Sequence, residues 1–496
     1  MKKGMLALAA IGILAVTGQA QENYATWSKN RSITINTTAT GGGANVAGTV
    51  TNFPVLVRLT SAQSDVFANG GAKGASIRFT AVDGTTRLAH QRERWDSAGQ
   101  VAEFWVKVPS VAGNATTTIK LYYGKVGAAD SSKGSAVFDT ANGFRGVWHM
   151  TADSVTTEAD ATVNALTLTA SDTPPTDTIG AIGKARVFAG VPGAAATRQY
   201  FVGLNTMDNP AVDGTTNLPH TVSAWAYART IVATNNRGNS IFNKGDNQYC
   251  LQIYGGNGAT VKKWESAVYT STWRQTPSNQ VAVAGAWYFI TGTWSGGDDN
   301  TTGTGQIYVN GVLDSTLSLD IGTDNPTRTY NLFVGANPNS NSATTAPGTT
   351  SSLLANTSAN PRFWNGYLDE ITFSRTVRNA DWVKLNYETQ KAGATAVTVG
   401  SVVGISSGTP DWSPSFLIRN AGSGFVFTVP GAGRVTVLDI KGREVWSHTS
   451  AQPADVSWNG LGANGARLSG AFVARVTARV NGVETTVAQR SFSIVK

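Results

Sequence analysis

The chain has one cysteine in 496 residues, Cys250, so no intramolecular disulfide can hold it together. Its stability must come from apolar cores. Cys250 lies in the apolar run Tyr249-Cys250-Leu251, which suits a buried, inert thiol. Histidine is almost as scarce: His90, His149, His220 and His448 are scattered and show no metal-ligand spacing. Charged residues make up only 14% of the chain. The basic ones are dispersed, with Lys262-Lys263 and Arg92-Glu93-Arg94 the densest spots, so no nucleic-acid tract exists. After the first residues no apolar run is long enough for a transmembrane segment. Ser/His/Asp order, a phosphate-binding glycine loop and a Cys/His cluster are also missing.

What is present is glycine, 54 residues of it, together with abundant Thr, Ser, Asn and Val. That is the composition of strands joined by tight turns. The 14 Trp, 18 Phe and 13 Tyr supply enough apolar area to exclude disorder. A chain of this length is expected to form about three domains. The start reads as a signal peptide: Lys2 and Lys3, the apolar stretch Met5 to Val16, then Thr17-Gly18-Gln19-Ala20. The expected cut follows Ala20, which makes the protein secreted or bound at the cell surface.

The remainder reads as all-β. Residues 21–143 alternate as a β-sandwich does. In Glu103-Phe104-Trp105-Val106-Lys107-Val108, Phe104, Val106 and Val108 share one face; Glu103, Trp105 and Lys107 share the other. The polar neighbours of Trp105 leave it facing either solvent or the next domain. Asp83-Gly84 predicts a hairpin between Ile77-Arg78-Phe79 and Arg87-Leu88. Phe53-Pro54-Val55-Leu56-Val57-Arg58-Leu59, Ile77-Arg78-Phe79-Thr80, Trp95-Asp96, Phe104-Trp105-Val106-Lys107-Val108-Pro109 and Leu121-Tyr122-Tyr123-Gly124 follow in order. They resemble a widespread bacterial extracellular domain of uncharacterised function, a family with no catalytic residues to carry over.

Residues 144–390 carry strand candidates at regular intervals, as in a jelly roll. Gln306-Ile307-Tyr308-Val309 runs into Asn310-Gly311, a strong hairpin signal. Trp148, Thr221-Val222-Ser223-Ala224-Trp225, Trp287-Tyr288-Phe289, Tyr308-Val309-Asn310-Gly311 and Trp364-Asn365-Gly366-Tyr367-Leu368-Asp369-Glu370-Ile371 resemble the laminin-G-like, concanavalin-A-like lectin superfamily. Asp381 to Gln390 predicts a short helix capped by Asn379 and docked by Trp382 and Leu385. Ala336 to Asn360 and Ser295 to Thr304 read as loops. Residues 391–416, rich in Gly and Ser, read as a linker. Residues 417–496 form strands again. Val437-Leu438-Asp439-Ile440-Lys441-Gly442-Arg443, Trp458-Asn459-Gly460 and Leu468-Ser469-Gly470-Ala471-Phe472 resemble the small immunoglobulin-like C-terminal domains of exported Gram-negative proteins. That resemblance implies a spacer, or a sorting signal with a cell-surface or secretion-machinery partner; Phe472 stands where the pattern has Tyr.

For chemistry, no strand carries the alternating acidic residues by which jelly-roll glycosidases aim two carboxylates into a cleft. Asp369 and Glu370 are adjacent, so strand alternation sends them to opposite faces; the resemblance makes them structural. Asp298-Asp299 offer a place for calcium, or a solvated turn. No other cofactor is implied. The positive signal is aromatic: Trp264, Tyr269 and Trp273, interleaved with Lys262, Lys263, Glu265 and Arg274. Flat rings stack on sugar rings while polar groups bond the hydroxyls. The same rings could instead pack two sheets together. The expected function is a non-catalytic, exported carbohydrate-binding or adhesion protein with a polysaccharide partner. A structural cell-surface protein that binds another protein, and a polysaccharide-degrading enzyme, are the alternatives.

Overall fold

The computed structural model describes residues 22–190, 199–203, 219–231, 239–245, 248–254, 261–270, 272–296, 302–320, 331–337, 363–404, 416–421, 424–480 and 483–495. The expected signal peptide, the Asp298-Asp299 turn and nearly all of the Ala336–Asn360 loop lie outside them. Among the described residues no helix is long and apolar enough to cross a membrane. The chain divides into two compact units with main spans Lys29–Val403 and Gly404–Lys496.

The larger unit holds two β-sandwiches. In the first, a three-stranded sheet in the order Val50–Leu59, Val101–Val111, His90–Asp96 covers a five-stranded one. The latter runs Val397–Gly404, Lys29–Asn36, Thr116–Tyr123, Arg78–Ala81, Arg87–Leu88. The alternation of the sequence sets the inner face: Phe104, Val106 and Val108 meet Ile33, Ile35, Phe79 and Leu121 in one core. The Asp83-Gly84 turn joins Arg78–Ala81 to Arg87–Leu88 as expected. One expectation is corrected. The first half of the 391–416 stretch is no linker, because Val397–Gly404 pairs beside Lys29–Asn36 at the sheet edge.

The second sandwich is the concanavalin-A-like jelly roll. Its outer sheet has eight strands from Thr272–Val281 at one edge to Thr157–Glu158 at the other. Its inner sheet is centred on Asn365–Ser374 and His220–Ala228. Trp148, Phe242, Leu251, Trp264, Ile290, Ile307, Leu368 and Phe373 fill the space between them. Asn310 and Gly311 both take positive φ, 51° and 76°, which the tight hairpin between Thr302–Val309 and Val312–Asp320 requires.

The helix Ala380–Gln390 starts where expected, with the Asn379 side chain accepting from the Trp382 amide. It wedges between the sandwiches: Trp382 meets Phe53 edge-on at 4.9 Å, and Gln390 accepts from the Trp225 indole at 2.7 Å. The first core therefore runs on into Trp382, Leu385, Phe144 and Val147.

The smaller unit is a β-sandwich by itself. Leu417–Ala421, Gly424–Val429 and Ala454–Trp458 form one sheet. Glu444–Ser450, Gly433–Asp439, Gly470–Val480 and Val483–Ile494 form the other. Phe427, Val435, Val437, Trp458, Phe472 and Val476 make its core.

Candidate functional site

The aromatic segment folds as a hairpin, Lys263–Thr270 against Thr272–Val281, at the edge of the outer sheet. Side chains alternate along it. Trp264 points inward, is 0% exposed and packs against Tyr288 at 5.2 Å. It is core, and the expected three-ring platform loses it. Tyr269, five residues on, takes the other face. Trp273 pairs directly opposite Tyr269, their rings edge to face at 5.4 Å and 77°, both half-buried. On the same face Glu265 accepts from Gln252 at 3.0 Å and Gln275 at 3.3 Å. Burial pushes the Glu265 carboxyl up to about 7, and the two amides offset this only in part.

A second polar cluster lies between the two sandwiches, and sequence reasoning missed it. Glu103 and Trp105 are both buried, and Trp105 takes the second of its two expected places, against the next domain. Glu103 takes two 2.6 Å bonds from Arg94. The Trp105 indole donates to Glu93 at 2.5 Å and stacks on His149, ring centroids 5.8 Å apart. His149 Nδ1 lies 2.9 Å from both Glu370 carboxylate oxygens and 3.6 Å from Glu93; its Nε2 is 3.2 Å from Gln91 Oε1.

Glu370 reaches this place through a β-bulge. The register with His220–Ala228 slips between Ser223 and Trp225, and Glu370 takes φ 49°. Along the other edge of the strand the neighbour changes there too, from Lys184–Ala189 to Phe144–Trp148. Leu368 and Ile371 both enter the core, so the two residues between them share the opposite side. The expectation that Asp369 and Glu370 face apart is thus corrected. Both point at the first sandwich, where Asp369 accepts from the Ile182 amide at 2.9 Å.

Burial raises the affinity of these carboxyls for protons. Glu370 is pushed up to about 8; Glu93 and Asp369 are pushed well above the usual range, each also repelled by Glu370. Burial lowers His149. Arg58 is the neighbouring cation. Its guanidinium donates to the last carbonyls of the helix, Thr389 at 3.1 Å and Gln390, and burial lowers its pKa. The ligand atoms of Glu93, His149 and Glu370 lie within 4.8 Å of one another, so the cluster could hold a metal ion. A cleft of about 380 Å³, lined by Gln91, Glu158 and Asp160, opens beside His149.

Comparison with known proteins fits this architecture. Residues 73–152 match a domain of unknown function, DUF2341. Residues 204–349 match the concanavalin A-like lectin/glucanases superfamily, in its laminin G form. No match is found among curated proteins. Among solved structures, domain 4 of AbnA, an extracellular arabinanase from Geobacillus stearothermophilus in complex with arabinotriose, is 16% identical. The match covers 49% of this chain and 97% of that one, with a TM-score of 0.32. The binding domain of Paraclostridial Mosquitocidal Protein 1 is 11% identical over 72% of this chain and 76% of that one, TM-score 0.35. A pentraxin from Limulus polyphemus is 13% identical over 38% and 83%, TM-score 0.24.

Proposed function

We propose that this chain is an exported, non-catalytic carbohydrate-binding or adhesion protein whose lectin-like sandwich holds a polysaccharide against Tyr269 and Trp273. The observation that carries the reading is the half-buried pair itself. Two perpendicular rings stand beside the hydrogen-bonded Glu265, Gln252 and Gln275 on the outward face of the outer sheet. A ring face stacks on a pyranose or furanose, and amides select its hydroxyls. The lectin/glucanase match of residues 204–349 supports the same ligand class.

Against hydrolysis stands the surrounding of Glu265. Its proton affinity is set by burial and two amides, and among the described residues no second carboxylate contributes. Glycoside hydrolysis needs a pair. Asp369 and Glu370 do share a side, but they are sealed against the first sandwich.

A glycan array on the full mature chain, followed by calorimetry on soluble glucans, xylans and pectins, tests the proposal. Saturable binding to one class is expected. No binding to any glycan would leave a protein ligand as the better reading, and release of reducing sugar would overturn the non-catalytic one. For export, the expected mature start is Gln21, and intact mass of surface or medium material checks it. We further propose that residues 417–496 serve delivery. A chain lacking them should accumulate in the periplasm; equal secretion would leave a spacer.

A further inference from the structure

We propose that Glu93, His149 and Glu370 form a site for one divalent transition ion of the zinc type, which clasps the first sandwich to the second. The site is separate from the sugar-binding reading and does not depend on it.

His149 Nε2 meets Gln91 Oε1 at 3.2 Å, and the tautomer with its proton on Nε2 donates to that oxygen. Nδ1 then presents its lone pair to Glu370 at 2.9 Å and Glu93 at 3.6 Å. A lone pair facing two carboxyl groups is repulsive unless a proton or a metal cation lies among them. Metal-bound histidines commonly donate their other ring N–H to an oxygen in this way. Trp105, donating to Glu93 at 2.5 Å, orients a second ligand likewise.

Among the described residues, Glu93 Oε1 and Asp369 Oδ1 have no hydrogen-bond partner. The Glu93 side chain is 0% exposed. Three carboxyl groups, Glu93, Asp369 and Glu370, share the seam with Arg58, whose guanidinium donates to the carbonyls of Thr389, Gln390 and Ala181. Buried carboxyls keep their protons unless a cation pairs with them, and a metal ion bound there would displace those protons.

Tetrahedral zinc ligands at about 2.0–2.1 Å stand roughly 3.3 Å apart, and the observed 2.9 and 3.6 Å bracket that spacing. One imidazole and two carboxylates suit zinc; calcium needs six to eight oxygens, which this seat does not offer.

The test uses the full chain, stripped with chelator and melted with and without zinc chloride. Wild type is expected to bind one equivalent and to gain about 4 °C or more at a hundredfold excess over Kd. Cobalt should give the intense visible bands of a four-coordinate site, and calcium should not shift the melt. Glu93→Gln should weaken zinc binding at least tenfold, while His448→Asn on the smaller unit should change nothing. Absence of a zinc-dependent shift in wild type, or equal binding by Glu93→Gln, overturns the proposal in favour of carboxyls that simply hold their protons. Should Glu93→Gln fail to fold, zinc-edge absorption on wild type decides. A shell of one imidazole nitrogen and carboxylate oxygens supports the site, and any other shell overturns it.

Discussion

The Trp105 indole lies over the His149 imidazole with the ring planes 23° apart, so a side chain of the first sandwich stacks on one of the second. The contact explains how one strand buries both faces. Phe104 and Val106 go to the first core, while Glu103 and Trp105 go to the seam. Helix and bulge complete that seam, with Trp382 filling one side and Glu370 the other.

Trp105→Ala should therefore cost far more than an exposed tryptophan would. It removes a large buried ring and leaves Glu93 without its indole donor. A loss of about 3–5 kcal/mol is expected from burial alone. Urea unfolding of the full chain checks it. A change below about 0.5 kcal/mol would mean that the seam does not hold in solution.

Arg58→Met keeps much of the apolar stem but removes the charge. The carbonyls of Thr389 and Gln390 lose their donor and the buried carboxylates lose their neighbouring cation. Breaking a buried charge constellation from one side typically costs about 3–5 kcal/mol. Arg58→Lys should recover only part, since one ammonium cannot reproduce the planar fork. Equal stability of both variants and wild type by denaturant melts would refute this role.

Much of this fold is legible in the chain because its signals are local. Asn310-Gly311, Asp83-Gly84 and the Asn379 cap each specify a geometry within a few residues, and each forms as read. Trp264 and Tyr269 were separable too: five residues apart on a strand is opposite faces. The buried cluster is different. Glu93, His149 and Glu370 are 56 and 221 residues apart, so no spacing rule links them. Alternation also misplaces Glu370, because one bulged residue at φ 49° reverses the parity of everything after it. The strand Val397–Gly404 is hidden by its two glycines, by Ser401 and by an edge position that exposes most of its side chains.

Glu265 supplies a pH dependence with a definite sign. Its carboxyl is raised from 4.5 to about 7 in the folded chain. The folded state thus holds a proton that the unfolded state has released. The contribution is fully present below about pH 4.5 and is lost as pH rises through 7, amounting to about 3 kcal/mol between those limits. Glu265→Gln cannot ionise and keeps the amide contacts in part. Wild type should lose stability relative to this variant between pH 5 and 8, read from paired melts. A flat difference across that window would place Glu265 in contact with water.

The aromatic hairpin yields the sharpest contrast, because three rings close in sequence should behave in two ways. Trp264 is 0% exposed in the core, so Trp264→Ala should cost about 3–5 kcal/mol of stability whatever the ligand. Tyr269 and Trp273 are half-buried and meet edge to face at 5.4 Å. Losing either should cost less stability. If the pair is the platform, stacking worth about 0.5–1.5 kcal/mol beyond area burial is lost with it. That weakens binding roughly 2- to 13-fold, since 1.4 kcal/mol is tenfold. Calorimetry of Trp273→Ala and Tyr269→Ala on the glycan selected by the array, with melts run alongside, separates the cases. Unchanged affinity in both variants would move the binding site off this hairpin. A melt as damaged as that of Trp264→Ala would make Trp273 a packing residue. Weaker binding with an intact melt would tie the polysaccharide to these two rings.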